Sequence, residues 1–176
     1  HAVQGANRAA RKWEVYNNVW TAVGQGWTPG FIRAGTGVWF NNELVGGTGY
    51  GDGKWSEPTI VIDEQRSCLS KATSGKCDGS SSWDGNTTGG NGYPCRDQIG
   101  RSTDAAAITY VSYPGAAQKQ TLDPAYAWNN HIYPTEADRT ATTNGVAVEF
   151  IVKRDICNES KAHLVAGRDF VNNGTT

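Results

Sequence analysis

The segment CRDQIGRSTD, residues 95–104, concentrates basic and acidic side chains that could do chemistry together. The candidates for catalysis are Arg96, Asp97, Arg101 and Asp104. Carboxylates can hold a calcium ion against an acidic sugar while a basic side chain removes a proton, which is the chemistry of a polysaccharide lyase. Arg–Asp pairs beside Cys95 would equally anchor a long loop. The sequence favours this structural interpretation and offers no convincing catalytic cluster.

Two further groups of side chains could bind ligands. Asp78, Asp84 and Asn86 lie in the Gly-rich run CDGSSSWDGN, and oxygen ligands on such loops suit calcium. Ordinary Asp-Gly turns explain the same residues more simply. Trp55 and Trp83 could stack on sugars with their ring faces, although a place in the core is the commoner fate of tryptophan. We therefore expect no cofactor other than a structural calcium ion.

The cysteine content indicates an oxidising compartment. The chain contains Cys68, Cys77, Cys95 and Cys157. An even number in Gly/Ser-rich surroundings predicts two disulfides, and four cysteines permit three pairings. Pairing of near neighbours would join Cys68 to Cys77 and Cys95 to Cys157. Acceptor sequences for N-glycosylation begin at Asn86, Asn158 and Asn173. We expect an extracellular or cell-surface protein.

The composition of the chain narrows the possible classes of protein further. The 176 residues suit one domain with a real core, and 16 basic against 17 acidic residues leave a net charge of -1. This balance argues against a nucleic-acid partner, which would favour a basic excess. No apolar stretch reaches transmembrane length, so no membrane span is expected. The 22 glycines, with seven Trp and seven Tyr, predict an all-β chain rich in turns.

A repeat organises the first third of the chain. EVYNN (14–18), VWFNN (38–42) and IVIDE (60–64) are short strand-like runs that follow one another at intervals of 24 and 22 residues. A period in the low twenties is typical of coiled repeat architectures, and these residues favour stacked β-strands. Asparagine tolerates bends, and stacked amides can hydrogen-bond along a column. We therefore predict a ladder formed by Asn17, Asn41 and Asp63.

In this arrangement, equivalent side chains form columns. Tyr16, Phe40 and Ile62 would be one column and Val15, Trp39 and Val61 another, with one facing the core. Residues 65–104 break the pattern and are predicted to form a long disulfide-pinned excursion. Strand-like runs and Asn pairs return afterwards, in YAWNN (126–130) and FVNN (170–173). We expect a single domain over residues 1–176, and a chain that is a processed product or a piece of a longer protein.

Several motifs carry a family resemblance. EVYNN and GFIRAGTGVWFNN, together with GYPCRDQIGR, PAYAWNN and HLVAGRDF, resemble the C-terminal part of secreted bacterial right-handed parallel β-helix repeat proteins, mostly of unassigned function. The resemblance covers most of the chain. It implies a right-handed parallel β-helix, a solenoid, with the excursion as a long loop. It does not imply an activity, since this fold serves lyases, hydrolases, tailspikes and structural shafts.

The sequence therefore predicts a structural or cell-surface module whose open ends favour self-assembly. Its expected partners are further copies of itself, in a homo-oligomer or fibre, or other surface proteins. The alternative is a polysaccharide-active enzyme, a lyase or hydrolase, or the carbohydrate-binding part of one, with a polysaccharide as partner. A segment of a phage-type tailspike is a third hypothesis.

Overall fold

The structure of the chain is a computed structural model. It describes residues 12–32, 35–62, 99–103, 120–152 and 164–173. Within these ranges the chain forms sixteen short strands and one helix of six residues. This content confirms the all-β class predicted from the glycine, aromatic and β-branched residues.

The elements are numbered in chain order. The strands are β1 (Trp13–Tyr16), β2 (Val19–Thr21), β3 (Gln25–Gly26), β4 (Gly30–Ile32), β5 (Gly37–Phe40), β6 (Glu43–Val45), β7 (Gly47–Thr48), β8 (Lys54–Trp55), β9 (Ile60–Ile62), β10 (Arg101–Thr103), β11 (Gln120–Leu122), β12 (Ala125–Trp128), β13 (His131–Tyr133), β14 (Val146–Ala147), β15 (Phe150–Val152) and β16 (Phe170–Asn173). The helix, α1, is Glu136–Ala141.

Four small sheets contain most of these strands. Sheet A has the order β1-β5-β12-β16, sheet B β14-β13-β6-β2, sheet C β3-β8-β7, and sheet D β15-β9-β4. Their pairs are parallel, except that β13 and β14 are antiparallel. β10 and β11 form a separate antiparallel ribbon. From β1 to β4, and again from β5 to β9, the chain visits sheets A, B, C and D in this order, and each time it returns to sheet A beside its previous strand there.

One circuit of the chain through these sheets, starting in sheet A, is called a passage. The first passage is β1 to β4, the second is β5 to β9, and the third is β12 to β15, after which β16 begins again in sheet A. Residues at equivalent places in successive passages pair directly, as Val15 does with Trp39 and Trp39 with Ala127. These side chains point inwards and are half-buried or buried, while the residues beside them face outwards. The core therefore lies between the sheets.

The third strand-like run of the repeat occupies a different sheet from the one predicted. Ile62 pairs with Ile32 and Val152 in sheet D, and it does not continue the column of Tyr16 and Phe40 in sheet A. Trp128 of β12 holds that place instead. The prediction that the IVIDE run continues the sheet A columns is therefore wrong, because a short β-branched strand fits any of the four sheets equally well.

The passages diverge between sheets B and D. In the second passage, β7 and β8 pair in parallel with each other, and glycines with positive φ, including Gly51 (120°) and Gly53 (68°), turn the chain between them. In the third passage, the chain leaves sheet B for α1, returns as β14, and reaches sheet D without a strand in sheet C. Sheet A is therefore regular, and this side of the molecule is not.

Helix α1 has defined ends. The hydroxyl of Thr135 accepts a hydrogen bond from the backbone N–H of Asp138, and Thr142 ends the helix with a positive φ of 55°. Its six residues lie over β6 and β13. In the part of the chain that the structure describes, no helix has the length and apolarity needed to cross a membrane.

The described end of the predicted excursion joins the core. Ile99 lies within the predicted 65–104 boundary, yet it is fully buried and forms a parallel bridge with Gly35. Gly100 has a φ of 75°, and a Cβ there would lie 2.1 Å from the carbonyl oxygen of Asp169. Only glycine fits this contact. The chain is therefore already part of the core at Ile99 and Gly100, before the predicted end of the excursion at residue 104.

Candidate functional site

The three strands β1, β5 and β12 of sheet A each end in a bend made by an asparagine. Asn17, Asn41 and Asn129 have φ values of 54°, 53° and 51°. Asparagine adopts this left-handed conformation more readily than most residues, because its short polar side chain can hydrogen-bond locally. The bends direct the chain from sheet A into sheet B at the same height in each passage.

The second asparagine of each pair forms a row inside the molecule, called here the inner amide row. It consists of Asn18, Asn42 and Asn130. The Nδ2 of Asn18 donates to the Oδ1 of Asn42 over 2.9 Å, and the Nδ2 of Asn42 donates to the Oδ1 of Asn130 over 2.9 Å. The Nδ2 of Asn130 donates to the carbonyl of Trp39. The row links three passages with side chains alone.

Asn42 uses its whole amide. Its Oδ1 accepts from the backbone N–H and the Nδ2 of Asn18, at 3.1 and 2.9 Å. Its Nδ2 donates to Asn130 and to the carbonyl of Val15, at 2.9 and 3.0 Å. The side chain is completely buried. All of its donors and both acceptor sites are therefore satisfied, which removes the cost of burying an amide.

The outer side of the same bends carries a second ladder. The Nδ2 of Asn129 donates to the Oδ1 of Asn41 over 2.8 Å at the surface. Beside them, the rings of Tyr16, Phe40 and Trp128 stack with centroids 4.9 and 4.4 Å apart and planes within 13°. These separations match the strand spacing of about 4.8 Å. Because the rings cover one another's faces, the column is a structural ladder and a poor platform for sugars.

The ladder predicted from Asn17, Asn41 and Asp63 stays a prediction, and the structure gives only the places of its first two members. Asn17 and Asn41 occupy equivalent bends, Asn129 is the next member, and Asp63 lies outside the described residues. The FVNN run does not continue it, because Asn172 pairs with Ala127 and Asn173 with Trp128, which places this Asn pair two residues before the bend at Asn129. Asn172 instead accepts from the backbone N–H of Phe150 and donates to its carbonyl, both over 2.9 Å.

Trp55 does not offer a sugar-stacking face. Its side chain is buried in the core, and its indole N–H donates to the carbonyl of Val45 over 3.2 Å. The prediction of sugar binding by Trp55 is corrected for this reason. In the same core, the indole nitrogens of Trp13 and Trp39 are buried without a hydrogen-bond partner among the described residues. Tryptophan here fills the interior.

A charged cluster joins α1 to sheet B. Nη1 of Arg139 lies 2.8 Å from Oε2 of Glu43, and Nη2 pairs with Glu136. This hydrogen bond from Arg139 holds the pKa of Glu136 below its ordinary value, and bonds to Glu136 and Glu43 raise the pKa of Arg139. Burial, followed by the charge of Glu43, raises the pKa of Tyr133. The ion pairs of this cluster hold α1 against sheet B, and each charged side chain in it lies beside one of opposite charge.

The remaining predicted site residues fall largely outside the described residues. These are Arg96, Asp97, Asp104, Asp78, Asp84, Asn86, Trp83, Asn158, Cys68, Cys77, Cys95 and Cys157. The backbone of Arg101 lies in β10, and Asn173 is exposed in β16. Among the described residues, no group of three His, Cys, Asp or Glu could hold a metal ion. The lyase, calcium, glycosylation and disulfide hypotheses stay predictions.

Sequence reasoning missed the more important half of each Asn pair. It assigned the ladder to the first asparagine, whereas the second carries the buried bonds. The signal available in the sequence was the Asn-Asn pair itself. Its first asparagine adopts the bend, and the side-chain amide of its second both donates and accepts hydrogen bonds. It also missed α1, although Thr135 and Asp138 form a capping pattern before Arg139.

Comparison with family models, with curated proteins and with solved structures finds no match for this chain.

Proposed function

We propose that the chain is a right-handed parallel β-helix that serves outside the cell as a structural or cell-surface module. The observation that carries this is the in-register stacking of β1, β5 and β12, reinforced by the inner amide row. Such a stack gives a rigid body from short strands. We propose the right-handed sense because connections between parallel strands of the same sheet are strongly preferred to be right-handed. The cysteines and sequons of the sequence support an extracellular setting.

We further propose that copies associate through the first passage. Among the described residues, β1, β2, β3 and β4 each pair on one side only, and each stands at the edge of its sheet. Four edges at one end of a stack form a template to which another chain can add strands. A second copy is the partner proposed, because its own strands match these edges in spacing.

The edge of β1 can be blocked selectively. The N–H groups of Trp13 and Asn17 donate towards the second passage, to Thr36 and Phe40. Alternate N–H groups along a strand point to opposite sides, so the N–H of Glu14 points away from β5. Proline is tolerated at such an edge position and removes the donor. Glu14→Pro should therefore block addition at this edge while the fold persists.

The test is sedimentation of the purified chain over a wide concentration range, with electron microscopy for fibres. We expect association that grows with concentration, reduced at least about tenfold in Glu14→Pro, since a backbone ladder is interrupted. Glu14→Thr, which keeps the N–H and removes the charge, should associate as the unaltered chain does. A strictly monomeric chain at high concentration, without fibres, contradicts the proposal of association. Non-reducing peptide mapping separately tests the two predicted disulfides.

A further inference from the structure

A cleft of about 260 Å³ lies where the second and third passages diverge. One wall comes from the turn after β6, and the other from the segments that flank α1. Its lining is Gly46, Gly47, Thr48, Ile132, Pro134, Asn144 and Val146. In sheet A the same two passages pair strand to strand. The cleft therefore results from the two departures from the repeat, which face each other across β13.

The backbone around the cleft is held in uncommon conformations. Gly46 has a φ of 139°, and a Cβ there would lie 2.7 Å from the carbonyl oxygen of Gly53. Asn144 and Thr142 have φ values of 57° and 55°. Apart from the three bends of sheet A, these two are the non-glycine positions with positive φ in the described ranges. Such conformations concentrate at ligand-binding sites, because a fixed backbone presents its groups without reorganising.

The lining selects the chemistry of a ligand. Val146, Pro134 and the buried Ile132 provide apolar surface, and Thr48 provides a hydroxyl. The Nδ2 of Asn144 donates to Asp138 over 2.8 Å, which fixes the amide and leaves its carbonyl oxygen available to accept. None of the lining residues is charged. An ion would lose part of its hydration there without a charged partner in the lining, so the lining favours a neutral ligand.

We infer that this cleft binds one neutral, hydroxyl-bearing ring of the size of a single sugar unit. Its volume corresponds to about nine water molecules of roughly 30 Å³ each. It lies below the roughly 300 Å³ at which sites for larger ligands begin, so it fits one ring. An apolar wall faces the carbon face of the ring, and Thr48 and Asn144 meet its hydroxyls. This site does not depend on the association of copies proposed above.

The test is titration of the ¹⁵N-labelled full chain with glucose, galactose and N-acetylglucosamine, followed by amide chemical shifts. Glucuronic acid serves as the charged probe and cyclohexanol as the ring with a single hydroxyl. We expect at least one neutral sugar to give saturable shifts at Gly46, Gly47, Thr48 and Asn144. Neither comparison probe should saturate in the same range. Absence of saturable shifts with all three neutral sugars overturns the proposal, as does binding of glucuronic acid with equal affinity.

Two variants locate the site. Val146→Ser should weaken binding about fivefold through loss of apolar contact. Val19→Ser makes the same exchange at an exposed position of sheet B outside the cleft and should leave binding unchanged. Asn144→Gly should weaken binding about tenfold with only a small change in the thermal midpoint, because glycine accepts the positive φ while the acceptor and the exposed bond to Asp138 are lost. Equal affinity in Val146→Ser and the unaltered chain, or equal weakening in Val19→Ser, overturns the assignment.

Discussion

Sheet A and the region between sheets B and D are built from the same passages with opposite results. In sheet A, every outward and inward position is repeated at a fixed register, and the inner amide row joins the passages. Between sheets B and D, the second passage turns back on glycines and the third departs into α1. The repeated side leaves no free hydrogen-bonding capacity at Asn42. The divergent side leaves a cleft with exposed polar and apolar groups.

The difference shows how one fold can separate stability from recognition. Repetition pairs each buried amide of the inner amide row with the equivalent amide of the next passage, so change there is costly. Divergence breaks that reciprocity and leaves surface groups such as Thr48 and Asn144 without an equivalent neighbour. The comparison can be tested by the same kind of substitution made on each side, and the expected effects fall from the buried amides to the surface charges.

The largest effect is expected at the inner amide row. Asn42→Ala removes all the side-chain bonds of a buried amide, and Asn18 and Asn130 each lose a partner, so it should lower the free energy of unfolding by about 3 kcal/mol. The neighbouring variant Asn41→Gly keeps the bend and loses only a surface bond to Asn129, which should cost within about 1 kcal/mol. Urea unfolding measures both. Equal losses would contradict the assignment of the second asparagine as the structural one.

The next largest difference in stability is expected when a glycine in each region is replaced by alanine, which adds one methyl group. A Cβ at Gly37 in sheet A would lie 2.0 Å from the carbonyl oxygen of Trp13, so Gly37→Ala should destabilise by about 2 kcal/mol. A Cβ at Gly47 in sheet C would meet its nearest atom, on Lys54, at an ordinary 3.5 Å. Gly47→Ala should change stability by no more than about 0.5 kcal/mol. Thermal unfolding of the two proteins decides this, and a larger loss at Gly47 would reverse the comparison.

A local effect is expected at the charged cluster. Arg139→Ala removes the partner of Glu43 and Glu136, so the amides of α1 should exchange hydrogen faster while those of sheet A keep their rates. Arg139→Lys should fall between, because a lysine cannot bond both carboxylates with the same fork. Hydrogen-exchange mass spectrometry resolves the two regions. Faster exchange throughout the chain would show that α1 supports the whole stack.

The smallest effect is the response of the same segment to acid. A hydrogen bond from Thr135, and then one from Asn144, lower the pKa of Asp138, and Arg139 lowers that of Glu136. A lowered folded-state pKa gives stability that is present above the ordinary pKa values of 3.8 and 4.5 and is lost as the pH falls through the folded-state values. Amide shifts of α1 should therefore change in acid before those of the uncharged inner amide row. Simultaneous changes would argue against a local origin.

The sequence predicted the all-β class and the relation between β1 and β5, because a period of 24 residues with matching Asn pairs is a strong local signal. It misplaced β9, since Ile60–Ile62 has the composition of any buried strand. The true successor, β12, begins far along the chain, and its Asn pair was the better guide. In the IVIDE run the place of the second asparagine is taken by Glu64, and a carboxylate could not have donated the bonds of Asn42. The cleft arises from two turns that only the folded chain brings together.

The inner amide row has a direction, since each member donates to the one after it, from Asn18 to Asn42 to Asn130. This polarity gives each passage a side that donates hydrogen bonds and a side that accepts them. Tandem duplication of the 24-residue segment that separates Asn18 from Asn42 would present a donor to an acceptor at both new junctions. The separation of 88 residues between Asn42 and Asn130 shows that a passage can also carry long insertions without breaking the row. The row therefore allows the stack to lengthen by copying a passage, whatever the length of the segments inserted between its strands.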